Sequence, residues 1–302
     1  MSNTDTSEKI NANEKLEKSR HNGNYRVLDT ISPERQEIID RINQYEKEGR
    51  FFEDVENDPP SRELMPDEID YLKRSLWKDT KAGLSILFAK IYLSGLIRKK
   101  QFVIRDYKGI ENFRNLHSGA IITCNHFHAL DSFAIHMTYF QSHHKRRRFL
   151  RVIKEGNYTS FKGFYGYLMR NADTLPLSSN MQTMKKFMRG VNVLLKNGNF
   201  ILVYPEQSMW WNYRKPKPFK KGAFTFAVHA NVPVLPVFIT MEDTDVLDDG
   251  GYPVQAYTVH VCPPIYPDPN LSKNENINKL MEENFEAWKK IYEETYGKKL
   301  EY

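Results

Sequence analysis

The chain has 302 residues, 40% of them hydrophobic and 27% charged, with a formal net charge of +6. Its mean hydropathy of -0.63 excludes a polytopic membrane protein, and 15 Gly and 15 Pro exclude collagen-like or low-complexity architectures. Two cysteines, Cys124 and Cys262, cannot build a disulfide framework or a four-cysteine zinc site, so a reducing compartment is expected.

Residues 1–30 are polar, without apolar periodicity or the apolar core of a secretory signal, and read as a flexible tail. Ser32-Pro33 resembles an N-cap followed by proline at the first helical position, and Ile38, Ile39, Ile42 and Tyr45 continue at helical spacing. Pro66-Asp67-Glu68 predicts a second helix with Ile69, Leu72 and Leu76 on one side. Residues 31–100 are thus expected to be a helical N-terminal appendage. Its most apolar stretch is Ala82–Ile97. Sixteen helical residues span roughly 24 Å, short of a bilayer core of roughly 30 Å. Arg98, Lys99 and Lys100 follow at once. The stretch therefore reads as either a core helix or an interfacial one lying against anionic headgroups.

From residue 101 to 302 the pattern changes. Strands are predicted at Phe102–Tyr107, Ala120–Cys124, Phe149–Ile153, Phe200–Tyr204, Val234–Thr240 and Ala256–Val261. Helices are predicted at Ser132–Phe140, Phe161–Arg170, Gln182–Lys196, Ala223–Ala230 and from about Asn274 to Tyr296. This alternation predicts an α/β domain with a mostly parallel central sheet flanked by helices.

In such sheets ligands sit beyond the carboxyl ends of strands. One predicted strand delivers Asn125, His126 and His128 there, and Asp131 opens the next helix. Three readings fit. Asp131 is an N-cap beside loop histidines; or His126-x-His128 is part of a metal site, although Leu130 and Asp131 fall out of register for a dinuclear H-x-H-x-D-H pattern; or Asp131 orients His126 as a general base. A second predicted strand ends in Pro205-Glu206, after which Trp210 and Trp211 precede Arg214, Lys215, Lys217, Lys220 and Lys221. Aromatic and basic residues together suit a lipid–water interface or single-stranded nucleic acid, whereas a buried Trp pair is the plain alternative. Another basic run holds Lys145, Arg146, Arg147, Arg148 and Arg151. Arg170 ends a helix on which Phe161, Phe164 and Leu168 look core-facing, and it suits a helix C-terminus or a phosphate. Val232 to Val237 is a strand entered through proline.

In this order the four runs resemble the glycerolipid acyltransferase family, of the 1-acylglycerol-3-phosphate acyltransferase type. The resemblance covers about residues 100–265. N-H-x-x-x-x-D is matched by Asn125, His126 and Asp131. The Gly-to-Arg motif is approximated by Gly166 to Arg170, F-P-E-G-T-R is matched only by Tyr204-Pro205-Glu206, and V-P-(V/I)-x-P-V is matched by Val232 to Val237. The resemblance implies transfer of a fatty acyl group from acyl-CoA or acyl carrier protein to a lysophospholipid hydroxyl. His126 is then the base and Asp131 its orienter, without a covalent acyl-enzyme, a tightly bound cofactor or a metal. Asn125, Arg170, Pro205 and Glu206 are implied to hold the acceptor. Where the family has Gly-Thr-Arg, this chain has Gln207-Ser208-Met209. Arg214, Lys217 or Lys220 is the expected substitute for the missing Arg, unless the acceptor is another lipid alcohol. The implied partners are a lipid substrate at an anionic membrane surface and acyl carrier protein, with no nucleic acid. The implied location is the cytoplasmic face of a membrane, peripheral or monotopic. A thioesterase or lipid hydrolase, in which the same base activates water, is the nearest rival, with a nucleic-acid-binding module more remote.

Overall fold

A computed structural model describes residues 32–58, 60–72, 76–144 and 147–302. The expected flexible tail and the basic residues Lys145 and Arg146 lie outside the described residues. Among the described residues, seven strands form one sheet in the order β1-β7-β6-β2-β5-β3-β4. They are β1 Val103–Lys108, β2 Ala120–Thr123, β3 Phe149–Ile153, β4 Thr174–Pro176, β5 Phe200–Val203, β6 Val234–Leu247 and β7 Pro253–Val261. All neighbours pair in parallel except the β6–β7 hairpin.

The mostly parallel sheet is dictated by two-sided burial. Ala120, Ile122, Phe200 and Leu202 point into one apolar cluster, while Ile121, Ile201 and Val203 point into the other. Side chains alternate along each strand, so runs that are apolar at every position are covered on both faces. Helices α3 Ile110–Arg114, α4 Asp131–Gln141, α5 Glu155–Thr159, α6 Gly163–Asn171, α7 Met181–Lys196, α8 Gly222–Ala230 and α9 Lys273–Tyr296 complete the domain. Asn180 caps α7 by accepting from the N–H groups of Gln182 and Thr183. A reciprocal Ser272–Glu275 capping box starts α9, and Gly297 ends it at φ 62°.

The appendage differs from expectation in two places. Helix α1, Pro33–Lys47, starts at Ser32 as predicted. Residues Pro66-Asp67-Glu68 form only a turn. The Glu68 carboxylate accepts from Met65 N–H and from Arg62, and Asp70 Oδ1 accepts from Leu72 N–H. Such local side-chain bonds compete with a helical ladder. Helix α2 runs from Leu76 to Arg98, 23 residues, or roughly 34 Å at 1.5 Å per residue. The expected short helix is therefore longer. Its Thr80–Arg98 portion is, by length and composition alone, enough to cross a membrane, yet only 17% of that window is buried in protein.

Segment 60–72 is tied to the domain by Tyr71, whose hydroxyl donates to Pro176 C=O, by Leu64, whose C=O accepts from the Ser178 and Thr183 hydroxyls, and by the Glu155 carboxylate. This carboxylate accepts from Leu64 N–H at 2.6 Å and from the Ser178 and Ser179 hydroxyls at 2.8 Å each.

Candidate active site

Strands β2 and β5 are parallel neighbours, with Thr123 beside Val203. The loops leaving their carboxyl ends therefore emerge side by side, and this places the first and third motifs together. The β2 loop turns back on itself, with Asp131 N–H donating to His128 C=O at 3.1 Å. Asp131, at the start of α4, is thereby returned to His126. His126 Nδ1 lies 2.8 Å from Asp131 Oδ2. An ionised carboxylate only accepts, which assigns the proton to Nδ1 and leaves Nε2 to act on a substrate. Phe127 and His128 N–H also donate to Oδ2, at 3.1 and 3.3 Å, and the Tyr204 hydroxyl donates to Oδ1 at 2.6 Å. Asp131 is buried at 1% exposure while His126 keeps 22%. A buried carboxylate behind a partly accessible imidazole is the arrangement of a general base with its orienter.

Glu206 joins the two loops. It is 2% exposed, and it accepts from His126 N–H at 3.0 Å and from Lys217 N–H at 2.8 Å. Each oxygen takes one backbone N–H, so Glu206 braces the two loops from inside the protein. Burial pushes its carboxyl up and the nearby Lys217 ammonium down, each partly offset by the other's charge. Lys217 is fully buried. Its Nζ donates to Ser208 C=O at 2.7 Å and to Ser208 Oγ at 2.8 Å, and it sits 4.6 Å above the Trp210 ring. This lysine pins the loop and is not available to an acceptor phosphate.

Asn125 is likewise turned inward. Its amide donates to Ile239 C=O at 3.0 Å and accepts from Ile239 N–H at 2.9 Å, which anchors the loop to β6. Pro205 is buried, and its carbonyl accepts from Lys220 N–H. Arg214 pairs with Asp243 at 2.7 Å and Gln255 at 3.1 Å. Arg170 donates to the carbonyls of Phe161 and Tyr158. Gly166 permits this approach, because a Cβ there would lie 2.0 Å from the Phe161 carbonyl oxygen and 2.9 Å from Arg170. Arg170 and Lys220 stay exposed, with the Lys220 ammonium 3.7 Å above the Phe52 ring.

The third-motif loop is not a membrane-facing surface. Trp210 and Trp211 are 0% and 7% exposed, and they pack with Ile38, Ile42, Phe51 and Val55 of the appendage. The first basic run is also largely spent within the protein. Arg147 donates to the carbonyls of His117 and Ser118, Arg148 pairs with Asp173, and Arg151 meets Ala172 C=O and His136. Phe164, expected in the core, is instead 49% exposed. The sequence reading missed Tyr204 as a partner of Asp131; an aromatic hydroxyl ending a strand beside the His–Asp loop is the signal that could have found it.

The molecule is thus a mostly parallel α/β domain with a His–Asp pair on the loop beyond β2, braced by the neighbouring β5 loop. Residues 104–240 match the family model described as Acyltransferase. This segment is therefore similar to the acyltransferase family, which supports the resemblance to glycerolipid acyltransferases. Among solved structures the chain is similar to the 1-acyl-sn-glycerophosphate (LPA) acyltransferase PlsC from Thermotoga maritima. That match has 21% identity and a TM-score of 0.50, covering 77% of this chain and 87% of that one. It shows the fold. No significant match was found among curated proteins.

Proposed function

We propose that the protein transfers a fatty acyl group from acyl-CoA or acyl carrier protein to the free hydroxyl of a lysophospholipid, with 1-acylglycerol-3-phosphate as the leading acceptor. The observation that carries this reading is the 2.8 Å contact between His126 Nδ1 and the buried Asp131 carboxylate. His126 Nε2 takes the acceptor's hydroxyl proton. Asp131 stabilises the imidazolium that forms, and the alkoxide attacks the thioester carbonyl. The tetrahedral intermediate collapses with loss of the thiolate, to which the proton on Nε2 returns. Of the residues expected to hold the acceptor, Arg170 and Lys220 are exposed and free of carboxylate partners among the described residues, and are assigned to an anionic headgroup.

The surface around α2 supports work at a membrane. Leu84, Leu87, Phe88, Ile91 and Tyr92 are 43–61% exposed and recur at helical spacing along one stripe. Phe88 and Tyr92 each contact Phe164 of α6 at 6.5 Å. Next along α6, Tyr165 has its phenol pushed up by burial and then by the charges of Asp58 and Asp131. The apolar surface therefore continues from α2 onto α6, a face suited to receiving a lipid acceptor. We propose peripheral or monotopic attachment at a cytoplasmic membrane face.

With Lys217 and Arg214 already paired, another lipid alcohol is the specific second reading. The test is thiol release from acyl-CoA and from acyl carrier protein, with lysophosphatidic acid, with lysophosphatidylglycerol and with neither. His126→Ala and Asp131→Ala are run alongside. Release that needs an acceptor and falls by about 10²–10⁴-fold in His126→Ala is expected. Acceptor-independent release means a thioesterase, and near wild-type turnover in His126→Ala removes the base assignment.

A further inference from the structure

Tyr204 is the last residue before Pro205 at the carboxyl end of β5. Phe stands at this place in the F-P-E-G-T-R pattern that the chain resembles, so the hydroxyl is this chain's own. It donates to Asp131 Oδ1 at 2.6 Å, while Oδ2 of the same carboxylate faces His126. The Tyr204 ring lies against the imidazole, with centroids 4.0 Å apart and planes 17° apart. One side chain therefore touches both members of the pair. Burial, and then the charge of Asp131, push the phenol well above its ordinary range. The phenol keeps its proton to donate to a carboxylate that can only accept.

We propose that Tyr204 is a positioning residue of the His126–Asp131 pair, its hydroxyl fixing Asp131 and its ring fixing the plane of His126. The inference rests on His126 being the base. Two consequences separate it from simple packing. A carboxylate held from both oxygens cannot swing away from Nδ1, which favours turnover without adding a contact to substrate. The hydroxyl also draws negative charge from Asp131, so the carboxylate pulls less strongly on the Nδ1 proton. Removing the hydroxyl strengthens that pull, and the Nδ1–H resonance reports the change. The other groups facing this cluster are Cys124 and His128 on the β2 loop, Arg151 on β3, Tyr165 on α6, Glu206 and Lys217 beyond β5, and Tyr257 on β7. All are common to wild type and variant, so their titrations are the shared background of the comparison.

The experiment compares full-length wild type, Tyr204→Phe and Tyr204→Leu. For each, kcat, KM and the pH profile of kcat/KM are read from thiol release, beside thermal stability and the low-field proton resonance of His126 Nδ1–H, which is assigned by its loss in His126→Ala. Tyr204→Phe keeps the stacked ring and loses the hydroxyl. It should lower kcat by about tenfold, leave both KM values within about twofold, and displace the acid limb of the profile upward. Tyr204→Leu loses both contacts and should fall by about 100-fold. In Tyr204→Phe the Nδ1–H resonance should shift. A Phe variant with wild-type kcat, profile and resonance overturns the proposal. So does one whose kcat falls only in step with its melting temperature while the profile stays put. If no acceptor supports transfer, the functional reading has failed, and the resonance alone decides whether Tyr204 positions the pair.

Discussion

Gln207 holds a backbone conformation that its side chain does not favour. It sits at φ 64°, in the tight turn that Gln207 N–H closes onto the Tyr204 carbonyl. Left-handed φ costs an L-residue roughly 1–2 kcal/mol that glycine avoids, and glycine returns roughly 0.5–1 kcal/mol of this through its freer unfolded chain. The side chain is exposed, so little packing is lost with it. Gln207→Gly should therefore stabilise the protein by about 0.5–1 kcal/mol, raising the melting temperature by about 1–3 °C with activity retained. A lower melting temperature would show that the glutamine side chain holds the loop. The Gly of Pro-Glu-Gly in the resembled pattern has the same explanation. At this scale the sequence is legible where contacts are local. His126 and Asp131 are five residues apart, and their pairing follows from one strand–loop–helix turn. Tyr204 reaches Asp131 across 73 positions. Lys217 lies in a basic run expected to meet an acceptor phosphate, yet it ends beside the carbonyl of Phe51, 166 positions away. No spacing rule reports which way such a side chain turns.

At the scale of elements, strands and long helices were legible because burial on two faces and helical periodicity repeat along them. Strand β4, three residues long, and helices α3 and α5, five residues each, are too short to repeat anything. The supposed helix at Pro66 failed because carboxylates nearby satisfy the backbone locally. Helix α2 was visible as apolar, but whether its stripe met protein or solvent was not. The fold leaves the stripe uncovered and continues it onto α6. Burial of large apolar side chains in a bilayer interface contributes roughly 25 cal/mol per Å², and the Lys/Arg residues after Ile97 add a charge-dependent part. Leu87→Gln with Ile91→Gln should weaken sedimentation with anionic liposomes by about tenfold or more at all ionic strengths. Lys99→Gln with Lys100→Gln should lose binding at low salt only. Wild-type sedimentation of the Leu87/Ile91 variant would detach the stripe from the membrane. Solution turnover of a short-chain soluble acceptor should be untouched in both.

For the whole molecule, the same two-sided burial that makes the sheet stores histidines in neutral form. Burial depresses His136 well below the ordinary imidazole range, helped by the charges of Arg151 and Lys90. It lowers His128, with Arg35 contributing against the pull of Asp131. It lowers His260, which meets Thr240 Oγ1 at 3.0 Å, to about 4, with Lys108 adding to the effect. In the unfolded chain all three take up protons near pH 6.5. Below that pH the unfolded state binds more protons than the folded one, so stability falls as pH falls from about 6.5 toward the folded values, by at most about 1.4 kcal/mol per pH unit for each proton. Glu206, raised by burial, works in the opposite direction and cancels part of one. Glu155, held low by hydrogen bonds from Leu64, Ser178 and Ser179 against the opposing effect of burial, begins to contribute only below about pH 4.5. The window between about pH 6.5 and 4.5 therefore belongs to the histidines. Urea midpoints should drop steadily from pH 7.5 to 5. His260→Gln, which keeps a polar partner for Thr240, should flatten that slope by up to one proton, and equal slopes in the two proteins would show that His260 takes no part.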